Sequence, residues 1–309
     1  MTHRRNVPAA RRLCASPAFT GVTRRQLGNL IVELADPWDS RCESNRSVRR
    51  GHTRLRARGA GEGHHRVFTD RVLVTLIKLR HGLPNVVLAV LFNCSRQTID
   101  RAVAEVLLLL ANRGFTAATG VRLYTLADVF AYAQTENVTL RLDGTEIRVR
   151  RPQVHKKGRN RFVSGKARAN TIKTTIITDG HARPLWAGAV VPGRVHDQTA
   201  IKHAGITNLL DQHPGVRILA DNGYRGLSNS HPEQVTVPPR KPAIDADQDT
   251  VTAWKQARKQ QSTNRITVEH GIGHIKNWRV LQRWTGPRDT LPDMILAVTG
   301  LVSDRTVTA

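Results

Sequence analysis

Beyond Val121 the chain switches repeatedly between a two-residue and a three-to-four-residue apolar period, which restricts that part to a mixed α/β fold. VTLRLDGTEIRV (138–149) alternates apolar and polar residues as a half-buried strand does, and NTIKTTIITDGH (170–181) and PLWAGAVVPG (184–193) read as two more. DQTAIKHAGITNLL (197–210) then has helical spacing, VRILAD (216–221) is a fourth strand, and TVEHGIGHIKNWRVL (267–281) a late helix. The polar stretch around Pro239–Asn264 is expected to be a mobile insertion.

A different pattern fills residues 69–114. Val72, Leu73, Leu76, Ile77 and Leu79 mark one helix that ends near Gly82 and Pro84. A short helix over Asn85–Leu91 follows, then Phe92-Asn93-Cys94, then a helix from Ser95 to about Leu110. This is the outline of a helix-turn-helix. Ala89 supplies the small residue where two helices cross, and Asn93 is among the few residues that tolerate the positive φ of the turn. Ser95 is placed to cap the second helix through its hydroxyl. Ile99 and Ala102 fall on the inner face, while Arg96, Gln97, Asp100 and Arg101 fall on the outer one. Arg and Gln suit base edges and phosphates in a major groove. An ordinary helical hairpin has the same spacing.

Charge favours the first of these readings. The 309 residues carry 48 Lys and Arg against 24 Asp and Glu, a net of +24, which attracts polyanions, nucleic acid first among them. A hydrophobic content of 39% is enough for a packed core and excludes a wholly disordered chain. Residues 1–66 read as an Arg-rich arm with thirteen arginines and no lysine in its first 60 residues. One short amphipathic helix is expected there, over Arg24–Leu34, with Leu27, Leu30, Ile31 and Leu34 on one face. The arm is either a solvated tail or a phosphate-contacting segment. Three widely spaced cysteines (Cys14, Cys42, Cys94) make neither a disulfide framework nor a zinc pattern. No apolar stretch is long enough for a membrane span and no signal peptide is read, so a reduced, cytoplasmic setting is expected.

Three acids stand where chemistry could use them. Asp143 interrupts an apolar strand, with Arg141 on its own side and Leu140 and Leu142 on the other; an acid there is costly unless paired or metal-bound. Asp221 ends VRILAD just before the turn NGYRG, at the carboxyl edge of a strand, where α/β sheets place ligands. Glu269 lies on the helix that carries Val268, Ile272 and Ile275 inward. Phosphodiester cleavage uses such carboxylates to hold a pair of Mg²⁺ ions. Each acid also has a purely structural reading. Asp143 could pair with Arg141 or Arg148, Asp221 could form a turn, and Glu269 could favour a helix N-terminus.

With those blocks in view, the chain resembles the bacterial insertion-sequence transposases of the DDE superfamily, in the group whose catalytic domain follows a small helix-turn-helix. The resemblance runs from about Thr20 onward. It rests on LDGTE, on SGKARANTIKTTIITDGHARPLWAGAVVPGRVHDQTA, on ADNGYRG and on RITVEHGIGHIKNWRVLQRW. Arg265, Glu269 and Lys276 fit the family's spacing of Arg, three residues, Glu, six residues, Lys, whereas Ser262 stands where a Tyr is usual. The resemblance implies an α/β, ribonuclease H-like catalytic domain preceded by a small all-α helix-turn-helix unit. The expected divisions are an arm at 1–66, a DNA-binding unit at 67–118 and a catalytic domain at 119–309. It implies Asp143, Asp221 and Glu269 as catalytic and metal-holding acids, with two Mg²⁺ ions per site and Mn²⁺ as a substitute. Water would free a 3′-hydroxyl at an element's end, and that hydroxyl would attack target DNA.

Arg96, Gln97, Arg101, Lys166, Arg225, Arg265 and Lys276 are the expected DNA contacts, with terminal inverted repeats and target DNA as partners. A homodimer would suit the synapsis of two ends, in a prokaryotic, nucleoid-associated setting without a membrane. A DNA-binding regulator with an inactive nuclease-like domain, or a nuclease that never joins strands, are the alternatives. His196-Asp197 after Pro192-Gly193 is expected to cap a helix. EHGIGH lacks the zinc arrangement because its Glu precedes both histidines, DADQDT lacks the Gly and Glu of a calcium loop, and Gly165-Lys166 lacks the upstream Gly of a phosphate loop.

Overall fold

A computed structural model describes residues 7–51, 67–155 and 157–307. These fall into two compact units, one of residues 1–112 with Trp278–Val280, the other of residues 113–277 with 281–309.

The first unit is helical: α1 (Val7–Cys14), α2 (Pro17–Thr20), α3 (Arg24–Arg50), α4 (Phe68–His81), α5 (Asn85–Leu91) and α6 (Arg96–Ala111). Thr23 and Gln26 cap the start of α3 reciprocally, and Leu27, Leu30 and Leu34 are buried as their spacing requires. The helix does not stop at Leu34 but runs for 27 residues with Pro37 inside it. A proline there removes one intrahelical hydrogen bond, and packing further along the helix opposes that loss. Trp38 stacks on Phe68 with 5.0 Å between ring centroids and donates from Nε1 to Glu105 at 3.2 Å. Arg71 donates to the same carboxylate at 2.7 Å. Residues 24–50 of the expected arm are therefore ordered helix, because an aromatic anchor beyond the readable stripe docks on α4 and α6. The run RLRARGAGEGHH lies outside the described residues.

The second unit contains β1 (Phe115–Thr116), β2 (Arg122–Leu123), α7 (Leu126–Thr135), β3 (Leu140–Val149), β4 (Thr171–Thr178) and β5 (Pro184–Pro192). It continues with α8 (Asp197–Ala204), α9 (Ile206–Gln212), β6 (Ile218–Ala220), α10 (Arg225–Ser230), β7 (Val235–Thr236), α11 (Gln248–Lys276), β8 (Arg283–Trp284) and α12 (Leu291–Val307). The main sheet has the order β5-β4-β3-β6-β7: β3, β4 and β5 are antiparallel neighbours, while β6 and β7 run parallel to β3, and β8 pairs with the far end of β3. Leu140 and Leu142 face a core shared with Val129, Phe130, Ile201, Leu210 and Leu227. The period-two reading of β3 holds over Leu140–Leu142, after which the buried side changes face and Thr145, Ile147 and Val149 are the covered residues.

Two boundaries differ from expectation. The units part at Asn112 because β1 pairs with β2, which draws Phe115 and Thr116 into the second unit. Residues 248–264, expected as part of a mobile insertion, are instead the first half of the 29-residue α11, whose start is capped by Asp247. The stretch is polar because it is solvent-exposed helix, and exposed helix carries almost no apolar stripe.

At the unit's C-terminal end, Asp304 on α12 accepts from Thr116 Oγ1 at 2.6 Å and Arg122 at 2.8 Å, and lies 2.7 Å from Arg113. The Arg113 side chain is only 5% exposed, and that carboxylate is a counter-charge beside it. Asp304→Ala is expected to lower stability by about 3 kcal/mol, since it removes the carboxylate that faces a buried guanidinium and that accepts from Thr116 and Arg122. Urea unfolding followed by circular dichroism checks this, and an unshifted midpoint contradicts it.

Candidate active site and nucleic-acid interface

In the helix-turn-helix the local chemistry follows the sequence closely. Asn93 has φ 46°, Gly82 ends α4 with φ 67°, and Ser95 Oγ accepts from Thr98 N at 3.2 Å at the start of α6. Ala89, Ile99 and Ala102 are buried with Val74, Ile77 and Leu88. Arg96, Gln97 and Arg101 are exposed along α6. Asp100 lies on the same outer face, partly covered, where it accepts from Asn85 and lies 3.5 Å from Arg96. Arg101 also lines a cavity of about 330 Å³ together with Arg46 and Arg49 of α3. Residues of the expected arm thus share one largely basic surface with α6, which no local pattern foretells.

The second unit brings two of the three expected acids together. Asp143 sits mid-β3, and its neighbour Leu142 pairs with Ala220, the residue before Asp221. Asp143 therefore lies on β3 beside the C-terminal end of the parallel strand β6, which Asp221 directly follows. Asp143 accepts from the Gly144 amide at 2.7 Å and from Arg265 Nη2 at 3.3 Å. Asp221 accepts from the Gly223 amide at 2.8 Å as the turn leaves β6. Burial pushes the Asp143 carboxyl up to about 6, and the negative charge of Asp221 adds to the shift; the Gly144 amide, Arg265 and Lys166 oppose it. Two carboxylates short of water, on β3 and just past β6, are hard oxygen donors of the kind Mg²⁺ or Mn²⁺ takes. The donor set fits a divalent cation.

Glu269 is on the facing helix but is not gathered with the pair. α11 is held against the sheet by Arg141 Nε donating to Asn264 O at 2.8 Å, by Gln261 donating to Ala220 O at 3.1 Å and by Arg265. Gly271 permits the approach, since a Cβ there would lie 2.8 Å from Ala182 O. Glu269 stands one turn beyond Arg265, about 6 Å along the axis, with its side chain exposed. Among the described residues no three acidic, imidazole or thiol groups form a ready metal cluster.

The basic residues expected on DNA divide. Lys166 is exposed and close enough to Asp143 to act on its charge. Arg265 faces Asp143 rather than solvent. Lys276 is corrected from an outward phosphate contact to an internal clamp: its ammonium donates to Glu146 O at 2.5 Å and to Leu281 O at 2.8 Å. Burial lowers that amine to about 8 despite Glu146. Arg225 ties its own loop, donating to Asn222 and to Pro238 O, each at 2.6 Å.

A neighbouring cluster was not expected from sequence. His196 caps α8 as anticipated, its ring accepting from Gln198 N. Asp197, by contrast, turns toward the acids. It pairs with Lys173 at 2.7 Å, and a Cβ on Gly223 would lie 3.0 Å from both Asp197 Oδ2 and Asp221 Oδ1, so the two carboxylates flank that glycine. Tyr224 is fully buried beside them with its hydroxyl on Thr175. Its pKa is pushed far up by burial and then by Asp197, Asp143 and Asp221. The only sequence signal was His-Asp ahead of a helix, which capping explains equally well.

Comparison with known proteins fits this arrangement. Residues 142–303 match the family described as DDE superfamily endonuclease, and residues 68–116 match the helix-turn-helix of DDE superfamily endonuclease. A probable transposase for insertion sequence element IS702 from Microchaete diplosiphon is 29% identical over 148 residues, 47% of this chain. The aligned part spans about half (49%) of that relative's length. No solved structure matches.

Proposed function

The chain belongs to the DDE superfamily endonucleases, with that superfamily's helix-turn-helix ahead of the endonuclease part, and we propose from this that it is an insertion-sequence transposase. The observation that carries the reading is the placement of Asp143 on β3 and of Asp221 just past the adjoining β6, under a helix bearing Arg265 and Glu269. The strand order β5-β4-β3-β6-β7, antiparallel on one side of β3 and parallel on the other, supports a ribonuclease H-like catalytic domain. In this reading the helical unit that ends at Asn112 binds DNA and the unit that begins at Arg113 performs the chemistry.

Asp143, Asp221 and Glu269 would hold the metal, Mg²⁺ or Mn²⁺, which supplies charge that activates the attacking oxygen and stabilises the leaving one. In the first step a water oxygen bonds to phosphorus at the element's end, the phosphorus–O3′ bond breaks, and the 3′ oxygen leaves with a proton as a hydroxyl. In the second, that hydroxyl oxygen bonds to a target phosphorus as it gives up its proton, and the target's own 3′ oxygen is displaced and leaves with a proton as a hydroxyl. Bond count is conserved, so no external energy source or covalent enzyme intermediate is needed. Arg265 fixes the Asp143 carboxylate, and Lys166 adds positive potential where the scissile phosphate enters. Arg96, Gln97 and Arg101 read or grip the terminal inverted repeats, and two chains synapse two ends. No helix of the described residues is long and apolar enough to cross a membrane, in keeping with a DNA-acting protein of the prokaryotic cytoplasm.

Nicking of supercoiled plasmid with Mg²⁺ tests the reading against a DNA-binding regulator, which would bind and leave the plasmid intact. Supplying pre-cleaved ends taken from the DNA flanking the coding region then separates transposase from nuclease. Joined product is expected, and its absence beside active nicking would leave only a nuclease.

A further inference from the structure

The loop after β7 is fastened on two sides. Arg225 of α10 donates to Pro238 O at 2.6 Å, and Trp254 of α11 donates from Nε1 to Pro239 O at 3.3 Å. The next two residues, Arg240 and Lys241, are exposed and held by that stapling beside α11. Across from them the Arg258 guanidinium lies 5.4 Å over the Trp254 ring, which limits its freedom. Between these parts lies a cavity of about 310 Å³ whose lining includes Arg225, Arg240, Lys241 and Arg258 and no carboxylate. A second cavity of about 420 Å³ shares Trp254 and Arg258 with the first and adds Lys255 and Lys259.

The groove has a direction. At one end it is lined by Asn222, the residue after Asp221, and along α11 it reaches Ser262, one turn before Arg265. Arg258 and Arg265 are two helical turns apart, about 10 Å along the axis, or roughly three nucleotides of a B-form strand. Four guanidinium or ammonium groups around one concavity, without an acid among them, repel one another unless an anion lies between them. A chain of phosphates at strand spacing fits such a groove, and the rigid guanidiniums suit it better than flexible lysines alone would.

We propose that this groove is a track for the phosphodiester backbone of one DNA strand as it leaves the Asp143–Asp221 pair. The assignment of that pair rests on the transposase reading; the groove's affinity for DNA does not require cleavage. The track uses residues that local sequence patterns left as a polar insertion.

The test is equilibrium binding of the full chain to an arbitrary-sequence duplex oligonucleotide, in EDTA, across a salt series. Removing three phosphate contacts with Arg240→Ser/Lys241→Ser/Arg258→Ser should flatten the plot of log K against log salt by about 2–3. Arg240→Ser/Lys241→Ser alone touches only exposed side chains and should flatten it by about 1–2. Arg240→Lys/Arg258→Lys keeps both charges and should keep the parental slope. A parental slope in both serine variants, with unchanged thermal melting, overturns the track. A parent that never nicks plasmid while its serine variants lose slope supports the track and removes the transposase reading. A parent that nicks, with no slope lost in the variants, does the reverse.

Discussion

Asp221→Asn is expected to reduce plasmid nicking by about three orders of magnitude, roughly 4 kcal/mol of barrier, while DNA binding in EDTA stays at the parental level. The two halves of this result have separate origins. Asn keeps the shape of Asp and retains an oxygen that can accept the Gly223 amide, now 2.8 Å from Asp221 Oδ1, so the turn after β6 persists. What it loses is one of two neighbouring negative charges, and the affinity for a divalent cation depends on that charge. The helix-turn-helix is untouched, since Arg96, Gln97 and Arg101 belong to the other unit. Nicking at more than a tenth of the parental rate, measured with matched metal and folded protein, would remove Asp221 from the chemistry.

How far the sequence foretold this site depends on how local each cause is. Asn93, Ser95 and Gly82 act on their own backbone, so their conformations were legible from residue type alone. Leu140 and Leu142 were legible because a strand repeats every two residues. The failures come from partners distant in the chain. α3 continues past Pro37 because Trp38 meets Phe68 and Glu105, which no window around Pro37 contains. Lys276 has the right spacing from Glu269, yet its amine closes on carbonyls of β3 and of the segment after α11, because only the fold places those acceptors within reach. Asp197 read as a helix cap because the neighbouring histidine does cap the helix, and the proximity to Asp221 arises across Gly223, a contact between separate elements.

That last juxtaposition makes the third acid the decisive experiment, because two carboxylates now compete for the role. Glu269→Gln is expected to lower nicking as far as Asp221→Asn does, about 10³-fold. The helix that carries Glu269 is anchored on both sides of it, by Arg265 to Asp143 and by Lys276 to Glu146 O, so Glu269 sits on a stretch of α11 held against β3. The side chain is exposed and makes no described hydrogen bond, so the substitution has little to disturb in the fold. Asp197 is differently placed. Its Oδ1 is 2.7 Å from the half-buried Lys173 ammonium, which balances its charge within the protein and leaves less need for a cation. Asp197→Asn should accordingly lower the melting temperature by leaving Lys173 without its counter-charge, yet retain nicking within about tenfold. A Glu269→Gln chain that cuts normally beside an inert but folded Asp197→Asn chain would transfer the third ligand position to α8. The helix carrying Arg265 would then be a brace for Asp143 and a wall of the DNA path.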